Sequence, residues 1–132
     1  MNNIFSIPVR VYYEDTDAEG IVYYANYLNF AARARSEFLR AKNQKVENLK
    51  DGERCGFVVR HVSIDYKKSA FVDDLLEVTC EIKELKNSSV VMTQNILKDG
   101  EVLASLDITL VYINLGRHRP TRISDEMRQA FV

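Results

Sequence analysis

One long stretch with helical spacing, preceded by a single strand-like segment and followed by four more, restricts this chain to a narrow set of folds. From Tyr27 to Lys42 the apolar residues Tyr27, Phe30, Ala31, Ala34, Phe38 and Leu39 recur at three- and four-residue steps, which puts them on one face of a helix. Ala31, Ala32 and Ala34 make its middle slim, as a closely enclosed helix requires, and Asn26 is the expected N-cap. Ahead of it, Ile4 to Tyr13 alternates as a strand with Val9, Val11 and Tyr13 on one face, and Pro8 suits an edge or an early position. Behind it, a loop over Asn43 to Gly56 leads to strands over Phe57 to Tyr66, Leu75 to Leu85, Val90 to Leu97 and Glu101 to Ile113. Leu76, Val78, Cys80 and Ile82 share the inward face of one strand. Val102, Ala104, Leu106, Ile108, Leu110 and Tyr112 share a face of the last. Asp99-Gly100 reads as a hairpin turn, and a short helix starts at Ser124. The order is that of an α+β fold, a five-stranded antiparallel sheet with the helix packed on one face. A sheet of this kind leaves edges that are commonly protected by a second subunit, so a homo-oligomer is expected.

Nothing repeats internally, and 132 residues form one domain, expected to span 1–132. A chain this size buries roughly two-thirds of its unfolded surface, enough for a core without a metal or a disulfide framework. With 18 Lys+Arg against 19 Asp+Glu the net charge is -1. No global field draws nucleic acid or an anionic membrane, and an anionic ligand must be met by a local basic cluster. Cys55 and Cys80 show neither CxxC nor a Cys/His spacing suited to zinc, which points to two reduced thiols, with Cys80 in the core. No run approaches the ~18 apolar residues that span a bilayer, and MNNIFSIPVRV lacks the layout of a signal peptide. The expected location is the cytoplasm.

The unusual segment is Tyr12 to Tyr27, YYEDTDAEGIVYYANY, with five of the seven tyrosines and the carboxylates Glu14, Asp15, Asp17 and Glu19 between a strand and a helix start. A helix N-terminus offers unpaired N–H groups that polarise a carbonyl or hold an oxyanion, and a carboxylate facing it acts as base or nucleophile. Taken alone, such acids also fit a solvated turn, and the tyrosines fit a core. A calcium loop opening at Asp15, Asp17, Glu19 and Gly20 fails: Asn26 stands where the bidentate Glu belongs, and a strand leads in where a helix should.

The run VRVYYEDTDAEGIVYYANYLNFAARARSEFL strongly resembles the YbgC-type acyl-CoA thioesterases of the 4-hydroxybenzoyl-CoA thioesterase family, which have the hot-dog fold. Tyr13-Glu14-Asp15-Thr16-Asp17, Gly20-Ile21-Val22-Tyr23 and Ala25-Asn26-Tyr27 look like the family's active-site signature, and Arg33-Ala34-Arg35-Ser36-Glu37 like its helix. A weaker likeness runs on through Phe57-Val58-Val59-Arg60 and Asp73-Asp74-Leu75-Leu76-Glu77. The resemblance implies a five-stranded sheet wrapped around one long helix, dimers or tetramers with sites at subunit interfaces, and hydrolysis of acyl-CoA. It implies Asp17 as the catalytic carboxylate and the backbone N–H of Tyr24 as the donor to the thioester carbonyl. Gly20, Ile21, Val22, Tyr23 and Asn26 would line the substrate. No metal or other cofactor is implied, coenzyme A being part of the substrate. Relatives often carry His at the position of Tyr24 and an acidic residue at that of Ala32; a backbone N–H survives either change.

The phosphates of coenzyme A require a local basic patch, for which Lys67-Lys68 and Arg117-His118-Arg119 with Arg122 are the candidates, set against a role as solvated turn charges. His61 falls mid-strand and His118 in the basic tail, and neither is tied to the acidic segment. Two competing functions remain at this level. One is a hot-dog hydratase. The other is a non-catalytic protein that binds acyl-CoA or an acyl carrier protein, or that docks on an envelope complex, the resemblance linking such proteins to the Tol-Pal system.

Overall fold

The computed structural model describes residues 4–45 and 47–132; the first three residues of the N-terminal reading, and residue 46 of the expected loop, lie outside them. The strands are β1 (Phe5–Arg10), β2 (Glu47–Lys50), β3 (Glu53–Tyr66), β4 (Leu75–Leu85), β5 (Ser89–Lys98), β6 (Glu101–Asn114) and β7 (Arg119–Pro120), and the helices are α1 (Asn26–Ala41) and α2 (Asp125–Phe131). They form one antiparallel sheet in the order β1-β4-β5-β6-β3-β2, with β7 on the end of β6. The five strands legible in the sequence are its contiguous body, and β2 and β7 are short additions. The sheet curls around α1, which packs against β1, β4 and β5.

The residues buried from α1 are Tyr27, Phe30, Ala31, Ala34, Phe38 and Leu39, the set its spacing predicts. Around its first turns they meet Val11, Val22, Leu76, Val78 and Ile96. Further along they meet Met92, Ile108 and Tyr112. There α2 closes the core with Met127 and Phe131, the Phe131 ring lying 6.1 Å from that of Phe38. Ser124 caps α2 by accepting the Met127 N–H at 3.2 Å. Among the described residues no helix is long and apolar enough to cross a membrane, and no group of three or more His, Cys, Asp or Glu is placed to hold a metal ion.

Four local expectations are corrected. The first strand stops at Arg10, and Tyr13 is 81% exposed instead of facing the core. The cause is Asp15, whose carboxylate accepts the Tyr12 N–H at 2.8 Å and folds Tyr13–Asp15 into a 3-10 turn; a short acidic side chain here outcompetes the ladder. The expected loop contains β2, joined to β3 through Asp51-Gly52, both at positive φ, with Lys50 opposite Glu53. On β6, Ile96 pairs with Ala104 but Leu97 pairs with Val102, so Leu103 is an extra residue that turns inward in place of Val102. The N-cap of α1 is Ala25, with helical backbone angles and no side-chain cap. Asn26 is already inside the helix and uses its amide elsewhere.

The turn before β4 is anchored by Asp74. Its Oδ2 accepts the Phe71 N–H at 2.8 Å, and Oδ1 pairs with Lys98 at 2.9 Å. Burial alone would raise this carboxyl; the Lys98 and Phe71 contacts outweigh it and hold the group below the usual carboxylate range. A depressed carboxyl stabilises the fold above its unfolded value, and that contribution disappears as pH falls through the folded one. Asp74→Asn keeps an acceptor for Phe71 but loses the charge, and it should lower stability by about 1 kcal/mol at pH 7. In urea titrations the gap should close below about pH 4; a gap that stays constant down to pH 3 removes Asp74 from the acid response.

Candidate active site

Between β1 and α1 the chain makes a compact, self-bonded loop. Asp15 is its hub: besides its own carboxylate bond, its carbonyl accepts the Tyr23 N–H at 3.0 Å and the Asn26 side-chain amide at 2.9 Å. Asp17 begins a tight turn in which its N–H donates to the Ile21 carbonyl at 2.9 Å and its carbonyl accepts the Gly20 N–H at 3.1 Å. Gly20 sits at φ +79°, which a side chain would strain. The loop is strapped to the segment before β4. Val22 donates to the Ala70 carbonyl at 2.9 Å, Val72 donates to the Gly20 carbonyl at 3.1 Å, and Ile21 bridges to Phe71. Ala70 also donates its N–H to the buried Tyr27 hydroxyl at 3.0 Å, so one residue ties the loop and α1 together. Burial raises the Tyr27 phenol above its ordinary value, against the lowering effect of that N–H.

Asp17 and Tyr24 each keep an uncommitted polar group at this junction. The Oδ1 of Asp17 accepts the Glu19 N–H at 2.9 Å, while its second oxygen has no partner among the described residues. The N–H groups of Tyr24 and Ala25 likewise donate to nothing among them, whereas those on either side are spent: Tyr23 N–H on Asp15 and Asn26 N–H on the Tyr23 carbonyl at 2.8 Å. The first-turn donors of α1 at Asn26, Tyr27 and Leu28 go to the carbonyls of Tyr23, Tyr24 and Ala25, and the Tyr24 N–H stands just ahead of them at the positive end of the helix dipole.

Asp17 and Tyr24 line one hollow of about 330 Å³, within the range of small-ligand sites. Its apolar wall is Ile21, Val22, Tyr23, Tyr24, Tyr27 and Tyr66, and its rim is Lys67, Lys68 and Ser69. The lysines are set there by the β6 bulge, whose Leu103 carbonyl accepts both their N–H groups, at 2.8 and 3.1 Å. Lys68 is ion-paired with Glu101; Lys67 forms no ion pair among the described residues.

Of the residues singled out from the sequence, the fold thus brings together Asp17, Ile21, Val22, Tyr23, Tyr24, Lys67 and Lys68. Gly20 shapes the turn without lining the hollow. Asn26 faces a different and larger hollow, about 600 Å³, over the outer side of α1 with Glu14, Asp15, Arg33 and Arg40, where its Oδ1 accepts the Asn29 amide at 2.9 Å. That hollow is the roomier of the two but holds neither Asp17 nor Tyr24, and Arg40 there is engaged by Glu37. Arg117 pairs with Glu53 at 2.9 Å, and Arg119 lies opposite Asn114. That end of β6 is roughly 30 Å along the strand from Leu103, so within one chain they are remote from Lys67. His61 and His118 are both exposed and outside the hollow. Tyr66 and Ser69 were not singled out from the sequence, whereas Tyr27 stands there in the Ala25-Asn26-Tyr27 part of the signature and on the apolar face of the helix. Tyr66 directly precedes the basic turn, which is the one signal that marks it.

Comparison with known proteins bears on the chemistry. A family model described as the thioesterase-like superfamily matches residues 11–131. An acyl-CoA thioesterase YbgC of Haemophilus influenzae is 40% identical over 131 residues, covering 99% of this chain and 96% of that protein. One from Helicobacter pylori is also 40% identical, over 86% of this chain and 90% of its own length. The crystal structure of a probable thioesterase from Bartonella henselae superposes with a TM-score of 0.87 at 34% identity, over 92% of this chain and all of that one.

Proposed function

The chain belongs to the thioesterase-like superfamily, and from that premise we propose that it hydrolyses acyl-CoA at the hollow beside the start of α1, with Asp17 as nucleophile or general base and the Tyr24 N–H as the donor to the thioester oxygen. At the coarser level it is an acyl-CoA thioesterase of hot-dog fold. The observation that carries the finer reading is that Asp17, with an uncommitted carboxylate oxygen, and Tyr24, with an uncommitted N–H, line the same cavity.

In this reading the thioester carbonyl lies against the Tyr24 N–H. Asp17 either attacks its carbon or removes a proton from the water that does. The oxygen that gains charge is stabilised by the N–H and the helix dipole, with no reorganisation needed at the moment of reaction. Collapse breaks the C–S bond and expels the coenzyme A thiolate, which takes a proton from solvent. If Asp17 attacked directly, water cleaves the acyl-aspartate anhydride and restores the carboxylate. The whole chain acts as one domain, and assembly into a dimer or tetramer covers exposed apolar side chains such as Val58, Val59, Phe71 and Leu75.

The test is free-thiol release from short, long and aromatic acyl-CoAs, with oligomeric size recorded alongside. Thiol release supports the reading. Loss of enoyl absorbance without thiol points to a hydratase, and tight acyl-CoA binding without turnover to a carrier; either outcome overturns it. The Lys67 ammonium is proposed to meet a phosphate of coenzyme A, remote from the reacting bond, and so to contribute binding that is equal in ground and transition states. Lys67→Ala should therefore raise KM about fivefold with kcat unchanged, an effect that fades with added salt; Arg117→Ala serves as the control expected to leave KM unmoved.

A further inference from the structure

Tyr66, the last residue of β3, has no part in the chemistry described so far, yet its hydroxyl donates to the Tyr24 carbonyl oxygen at 3.0 Å. Its ring stands edge-on to those of Tyr24 and Tyr27, with centroids 6.1 and 5.5 Å away. The Tyr24 carbonyl lies at the very start of α1, where the bond it accepts from the Tyr27 N–H is long, 3.4 Å. The Tyr66 hydroxyl is thus the shorter of the two bonds on that oxygen. On the other side of the Tyr24 Cα, the peptide plane that contains the Tyr24 N–H is held by the Asn26 N–H on the Tyr23 carbonyl, at 2.8 Å. Both peptide planes flanking this Cα are therefore held by a short bond, and the one on the Tyr24 carbonyl comes from β3 instead of from the helix itself. Burial, and after it the neighbouring Tyr24 phenol, raise the Tyr66 hydroxyl above its ordinary value, so it remains a donor across neutral pH.

An oxyanion donor works only within a narrow window, about 2.7–3.1 Å from the charge that develops. A small rotation about the Tyr24 backbone moves its N–H out of that window. We infer that Tyr66 is a positioning residue for this site: by holding the Tyr24 carbonyl, its hydroxyl keeps the adjacent N–H aimed at the reacting oxygen. This rests on the role proposed for the Tyr24 N–H. It also gives the order of residues at the end of β3 a mechanical sense, because Tyr66 and Lys67 are consecutive. The strand end that presents the phosphate-binding ammonium is the one that braces the carbonyl-polarising turn.

Tyr66→Phe removes one oxygen and keeps the ring against Tyr24 and Tyr27. The expected result is a fall in kcat of about tenfold with KM and melting temperature near wild type, less than the loss of a direct oxyanion donor. A purely structural role would instead lower the melting temperature, and a role as pocket wall would raise KM; kcat within twofold of wild type overturns the inference, whichever of these accompanies it. The second measurement does not depend on turnover. In amide NMR spectra, the Tyr24 and Ala25 resonances of the unliganded variant should shift and broaden while those of β4 and β5 stay in place. Unmoved Tyr24 and Ala25 resonances overturn the positioning role even if the protein releases no thiol at all, an outcome that would separately overturn the proposed function.

Discussion

Asp17→Asn should abolish acyl-CoA hydrolysis, with kcat falling by about a thousandfold or more while the protein folds as before. An amide can neither attack the thioester carbon productively nor take a proton from water, so both routes through this residue close. The fold is spared for a specific reason. The bond that shapes the turn runs from the Glu19 N–H to Oδ1 at 2.9 Å, and the Asn side chain keeps that oxygen as an acceptor. The position is exposed in the single chain, so stability should stay within about 0.5 kcal/mol of wild type. Thiol release under saturating substrate, with melting temperature and oligomeric size measured on the same samples, decides the matter. Hydrolysis at a wild-type rate by the variant would remove Asp17 from the mechanism, and a comparable loss in Asp15→Asn with its fold intact would reassign the role. The structure argues against that reassignment, since Asp15 lines the hollow over the outer side of α1, whereas Asp17 lines the one that holds Tyr24.

That distinction between two nearby acids shows what the sequence does and does not carry. Four carboxylates in one loop are equivalent as letters; only the fold reveals that Asp17 lines the hollow beside Tyr24 while Glu14 and Asp15 line the one over the outer side of α1. The resemblance points to Asp17, and the proposed mechanism builds on its place in that hollow. The enclosed helix is legible because its apolar positions repeat without interruption, and β4 because its alternation has a solvated side. β2 is not, because Glu47-Asn48-Leu49-Lys50 has no apolar alternation and, among the described residues, pairs with one neighbour; its signal is the Asp51-Gly52 turn, read from backbone needs instead of hydrophobicity. Leu103 is hidden for a related reason, since a bulge reverses the phase of a strand without changing its composition. The bulge matters functionally, as its carbonyl holds Lys67 and Lys68 at the hollow. The two basic turns were indistinguishable in the sequence, and the strand order separates them.

The seat of α1 carries the other large effect. Gln94, on β5, is 0% exposed and faces the helix. Its amide donates to the Ala31 carbonyl at 2.9 Å and the Thr79 carbonyl at 3.2 Å, and its oxygen accepts Arg35 Nη1 at 3.0 Å. Arg35 is partly buried, and burial lowers its pKa, opposed by the nearby Cys80. It forms no ion pair among the described residues. The Cys80 thiol supplies no counter-charge at neutral pH, because burial pushes it up to about 12 despite the pull of Arg35. The guanidinium is therefore held by a neutral acceptor. Gln94→Leu strips that acceptor from a charge that cannot reach water freely and should cost about 3 kcal/mol, the penalty of an uncompensated buried charge more than of one lost bond. Arg35→Met in the same chain removes the charge as well, and a well-packed apolar pair in such a place is often no worse than the polar one. The double variant should thus recover about 2 kcal/mol relative to the sum of the two single changes, read from urea unfolding at pH 7. Additivity within about 0.5 kcal/mol would mean that Arg35 and Gln94 are not coupled, and that the polar pair beneath α1 acts as two independent packing residues.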